Sequence, residues 1–62
     1  MTSRELVRLL EKAGWLEVRV KGSHHQYRNT ANPSAGTITV PHPRKQLPIG
    51  LLRAILKQAG LR

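Results

Sequence analysis

Apolar positions recur every three or four residues at the two ends of the chain and every second residue between them. Near the start, Leu6, Leu9, Leu10 and Ala13 form one stripe while Arg4, Arg8, Glu11 and Lys12 fall on the other side, which predicts an amphipathic helix. Thr2 followed three residues later by Glu5 is a capping box, so the helix should open there. Gly14 should end it as a left-handed residue, and Trp15 is placed to pack back on Leu10. The closing helix repeats the scheme. Pro48 is expected at its first helical position, Leu51, Leu52, Ile55, Leu56 and Ala59 form its stripe, and Gly60 closes it with Leu61 set to pack on Leu56.

Between the helices the period is two. Strands are predicted from Leu16 to Lys21, from His24 to Asn29 and from Thr37 to Val40, the last stopped by Pro41 and Pro43. Gly22-Ser23 makes a two-residue loop with Gly first, which suits a mirror-image hairpin turn. A regular hairpin then pairs Lys21 with His24, Val20 with His25, Arg19 with Gln26, Val18 with Tyr27 and Glu17 with Arg28. Leu16, Val18, Val20, His25 and Tyr27 share one, apolar face in this register. Glu17, Arg19, Lys21, His24, Gln26 and Arg28 share the other. Residues 29 to 36 read as a mobile loop, and 41 to 46 as a basic connection held extended by its prolines. One domain spanning 1–62 is expected, an α+β two-layer sandwich of order α-β-β-β-α. Both helices cover one face of a three-stranded antiparallel sheet, leaving the polar face open.

Charge narrows the partners. Against 3 Asp+Glu the chain carries 11 Lys+Arg, a net charge of +8 and a pI near 11.6, which points to a polyanion and first of all to nucleic acid. No apolar run approaches the roughly 20 residues of a membrane span, so no membrane partner is expected. The opening residues lack the apolar core of a signal peptide, and a cytoplasmic location follows as an expectation. Without cysteine there is no disulfide scaffold. Without aspartate there is no Ser-His-Asp arrangement.

Histidine is the remaining candidate chemistry. His24 and His25 are adjacent in a strand and point to opposite faces, so they do not share an ion, and no metal site is expected. His24 falls among cations. A neutral imidazole there can take the proton from an RNA 2′-hydroxyl while Arg or Lys neutralises charge building on phosphorus. The alternative is a solvated side chain that only contacts phosphate.

Beyond these residue types, the chain resembles a known family. Ala13-Gly14, Lys21-Gly22-Ser23-His24-His25, Thr39-Val40-Pro41-His42 and the closing run from Leu47 to Leu61, with its Ile-Leu-Lys-Gln-Ala-Gly, are together similar to the HicA toxins of toxin-antitoxin pairs. The resemblance implies a fold like that of a double-stranded RNA-binding domain and an endoribonuclease, an mRNA interferase, that needs no cofactor and takes no small-molecule substrate. The histidine after Gly-Ser is catalytic in that family, which carries onto His24. A HicB-type antitoxin that covers this histidine is the implied protein partner, and it is expected over the open sheet face and the Lys21 to His24 turn. Arg19, Lys21, Ser23, Arg28, Arg44 and Lys45 are the expected RNA-binding residues. A non-catalytic double-stranded RNA-binding module is the competing reading, and a structural ribonucleoprotein component is a third.

Overall fold

A computed structural model describes residues 1–61. Its elements follow the expected order: α1 (Ser3–Lys12), β1 (Trp15–Lys21), β2 (His24–Asn29), β3 (Thr37–Pro41) and α2 (Ile49–Gln58). The sheet is antiparallel with strand order β1-β2-β3, so β1 and β3 are its edges.

The start of α1 forms as its residues dictate. Thr2 accepts from the Glu5 N–H, and the Glu5 carboxylate accepts in return from the Thr2 N–H, which holds the Glu5 carboxyl below its ordinary range. Gly14 ends the helix at φ 93°, a conformation that costs a side-chain-bearing residue. The Asn29 amide donates to the Ala13 carbonyl at 3.1 Å, so β2 itself caps the helix C-terminus. At the end of α2 the Gly60 N–H reaches Lys57 and the Leu61 N–H reaches Leu56, the paired bonds of a Schellman closure. Leu61 nonetheless stays exposed. Two helix details differ from the sequence reading. Pro48 is the N-cap and Ile49 the first helical residue, and in α1 the buried side is Ser3, Leu6 and Leu10 with Leu9 turned outward.

The hairpin departs from the regular register. Lys21 pairs with His24, Val20 with His25 and Arg19 with Gln26, as a two-residue turn with Gly22 at φ 59° requires. A bulge then intervenes. Glu17 pairs with Tyr27 rather than Arg28, Leu16 with Arg28, and Trp15 with Asn29, while Val18 is the extra residue. Everything before the bulge therefore changes face: Trp15 and Glu17 join Tyr27 on the helix side, and Leu16 moves to the open side. The expected burial of Leu16, Val18 and Val20 is overturned, since all three are exposed. For Leu16 and Val18 the physical reason is Trp15. It follows Gly14 directly and is 1% exposed in the core, and only a one-residue slip puts it there while the turn keeps its own pairing. Val20 keeps its expected pairing with His25 and is exposed on the edge strand.

The core gathers Leu6, Leu10, Trp15, Tyr27, Ile38, Val40, Leu47 and Ile55, with Val7, Leu52, Leu56 and Ala59 packed against it. Both helices thus cover one face of the sheet. Leu47 comes from the connection after β3, which docks onto the N-terminus: the Ser3 N–H reaches Arg44 and the Leu47 N–H reaches Met1. Pro41 ends β3 in register with His24 rather than stopping the strand before it, which an edge strand permits. Residues Pro33–Ala35 of the expected mobile loop form a turn of 3-10 helix, and Gln58 of α2 donates to the Ala35 and Thr37 carbonyls.

Tyr27 is 2% exposed, and burial, with the Glu17 carboxylate alongside, pushes its phenol up to about 12. The proton is held more tightly in the folded chain, so this contribution to stability is complete below about pH 10 and is lost as pH rises toward 12. Denaturant unfolding at pH 9 and pH 12 should differ by roughly 2–3 kcal/mol from this group. The Tyr27→Phe variant should lose that part of the alkaline dependence.

Candidate nucleic-acid interface

Strand alternation and the observed pairing place Arg19 and Lys21 of β1, and His24, Gln26 and Arg28 of β2, on the face that no helix covers. Thr37, Thr39 and Pro41 of β3 complete it. Arg19, Lys21, His24 and Arg28 are all exposed. His24 opens β2 directly after the turn, flanked by Lys21 on one side and Pro41 on the other. Its side chain makes no hydrogen bond among the described residues. Ser23, in the turn, is exposed, and its carbonyl accepts from the His42 N–H at 2.8 Å, which ties the turn to the end of β3.

Arg44 and Lys45 do not join this group. They line a cleft of about 610 Å³ with Thr2, Ser3, Arg4, His42 and Pro43, between the start of α1 and the connection that leaves β3. The expected RNA-binding residues therefore occupy two surfaces, one on the open face of the sheet and one at the mouth of the helix layer. Arg4 belongs to the second and was not singled out from the sequence, because its neighbours there are forty residues away along the chain.

A polar cluster on the helix side was also not legible in the sequence. The Glu17 carboxylate lies 2.6 Å from His25 Nδ1. A carboxylate only accepts, so that nitrogen carries the proton. The His25 ring meets the His42 ring edge to face, with centroids 5.0 Å apart. His42 Nδ1 lies 2.6 Å from the Ser3 hydroxyl, which also accepts from the Arg44 N–H at 2.8 Å. Ser3 is 1% exposed and has no other role visible in its surroundings than to hold this junction. Ser3→Ala leaves the Arg44 N–H and His42 Nδ1 short of a partner and should cost about 1–3 kcal/mol. For so small a domain the melting temperature should fall about 4–8 °C per kcal/mol, which a thermal scan by circular dichroism checks.

Among the described residues no group of three or more His or Glu side chains is placed to hold a metal ion. No described helix is long and apolar enough to cross a membrane.

The family described as the HicA toxin of bacterial toxin-antitoxin systems matches residues 3–61. This chain belongs to the HicA toxin family. Among curated proteins none matches it. As a HicA-family chain it is the toxin member of a toxin-antitoxin system, a class in which toxin and antitoxin are paired. Its two expected features, α+β order and two helices against a three-stranded antiparallel sheet, are those observed.

Proposed function

We propose that this HicA-family chain is a metal-independent endoribonuclease that cleaves mRNA and so stops translation, with His24 as its catalytic group. The observation that carries the reading is the placement of His24: exposed, at the start of β2, opposite Lys21 and on one open face with Arg19 and Arg28. In this reading the His24 imidazole takes the proton of a 2′-hydroxyl. The freed oxygen attacks the adjacent phosphorus, the bond to the 5′ oxygen breaks, and that oxygen takes a proton from solvent. Lys21 and Arg28 clamp the phosphate and neutralise the charge that gathers on it. Arg19, Ser23, Arg44 and Lys45 belong to the wider RNA footprint, and binding should weaken steeply with salt. The products carry a 2′,3′-cyclic phosphate and a 5′-hydroxyl.

Incubation of the purified protein with RNA in EDTA tests this. Cleavage to cyclic-phosphate ends is expected. Binding without cleavage would leave a double-stranded RNA-binding module instead. The 2.6 Å contact between Glu17 and His25 favours one second reading, in which the carboxylate-held His25 is the base. His25 is only partly exposed and stands on the helix side, packed against His42. A cleavage assay on His24→Ala and His25→Ala side by side separates the two.

A further inference from the structure

Of the seven residues of β1 only Trp15 is buried. Leu16, Val18 and Val20 are 54%, 54% and 50% exposed, three aliphatic side chains within five residues. β1 is also the edge of the sheet, and among the described residues no backbone hydrogen bond outside the hairpin ladder reaches Leu16 to Lys21. Every second N–H and C=O along it therefore faces solvent. A row of free backbone groups beside exposed aliphatic side chains is the template that strand addition uses.

We propose that β1 is a docking edge on which an extended segment of the partner antitoxin pairs as a fourth strand. The segment sets apolar side chains against Leu16, Val18 and Val20, and carboxylates against Arg19 and Lys21. The proposal rests on the pairing of HicA toxins with antitoxins, and it specifies the surface and chemistry of that pairing. Charge selects the occupant. The edge carries Arg19 and Lys21, while its one acid, Glu17, is held by His25. A second copy of this chain would bring together two molecules of charge +8. RNA offers neither an alternating backbone of donors and acceptors nor a partner for the exposed aliphatic side chains. An acidic, apolar strand offers both.

The bulge adds selectivity. It interrupts the edge between Glu17 and Arg19, so a flat strand cannot run past it in register, and an irregular partner segment is required. The docked strand also lies close to the proposed reactive face. Neighbouring strands are about 4.8 Å apart, so a residue beside Lys21 sits about 10 Å from the His24 backbone, within reach of the segment leading out of the new strand.

The experiment uses the purified product of the reading frame adjoining this chain's gene. Amide hydrogen exchange of the wild-type toxin, free and in complex, should show the outward-facing β1 amides slowed at least about tenfold in the complex. In calorimetry the Val18→Glu, Val20→Glu variant should bind about 100-fold more weakly or worse, since two carboxylates would then be desolvated against the apolar side chains of the docked strand. When expressed alone this variant should still arrest growth. When co-expressed with the partner it should no longer be rescued. Circular dichroism confirms that the variant folds, and the exchange measurement stands without it. Unchanged β1 exchange in a tight complex, or undiminished affinity of the folded variant, would overturn the docking edge while leaving the pairing itself intact. A β1 protected in the free toxin, with doubled mass in sedimentation, would assign the edge to a second copy and overturn it too. No binding to the wild type at all would instead remove the pairing on which the proposal rests, and the proposal with it.

Discussion

Replacing His24 with alanine is expected to lower RNA cleavage by about 100- to 10,000-fold, the range that a positioned acid-base group supplies, at an unchanged melting temperature. The separation of the two effects follows from the surroundings of the side chain. His24 is exposed and holds no hydrogen bond among the described residues, so its loss leaves no cavity and no orphaned partner. His25 differs. It bonds Glu17 and packs on His42, so His25→Ala should destabilise the domain whatever it does to cleavage. In cells carrying inducible copies, growth should stop with the wild type and continue with His24→Ala. Equal toxicity of the two would remove His24 from the mechanism. Loss of cleavage in His25→Ala at normal stability would transfer the role to His25.

The largest effect on stability is expected at Trp15. Truncating a buried Trp to Ala costs about 3–5 kcal/mol, and a 62-residue domain has a total stability of roughly 3–9 kcal/mol at 0.05–0.15 kcal/mol per residue. Trp15→Ala should therefore lose at least about a third of the domain's stability and melt far below the wild type. Trp15→Phe should be much milder. The indole N–H of Trp15 is buried and finds no acceptor among the described residues. Removing it relieves an unmet donor and offsets part of the lost apolar contact. Far-UV circular dichroism of both variants decides this, and an Ala variant that melts within a few degrees of the wild type would show that Trp15 does not anchor the core.

Where local chemistry decides the structure, it was readable. Thr2 and Glu5 close the box that starts α1, Gly14 and Gly60 end the helices, and Gly22-Ser23 fixes the pairing of Lys21 with His24. That last pairing is the part of the candidate site that rests on a turn. What failed was the extension of its alternation past Arg19. Leu16 and Val18 read as continuing the buried face of Tyr27, and nothing local contradicts that reading. The decision comes from a distance, from the need of Trp15 to reach Leu10, Tyr27 and the rest of the core. The junction of Ser3, His42 and Arg44 was hidden for a related reason. Its members are about forty residues apart, and a lone Ser in a first helical turn ordinarily signals only a solvated position. Leu47, just past the connection read at 41 to 46, falls in no predicted apolar stripe, although it is 4% exposed in the core.

The extra residue at Val18 also sets what kinds of change this strand can absorb over evolutionary time. Upstream of it the chain keeps phase with the core through Trp15, and downstream with the turn that presents His24; one residue of slack lets both phases hold. The core places no demand on the side chain at Val18, because the residue is exposed and opposes no single partner. It is the partner strand, not the fold, that would hold its identity. Losing that one residue would bring the pairs Glu17 with Tyr27 and Arg19 with Gln26 side by side in a regular hairpin, with Trp15 and the turn both still in phase. The fold of this strand can therefore survive a one-residue contraction at Val18, whereas the docking edge would lose its irregularity.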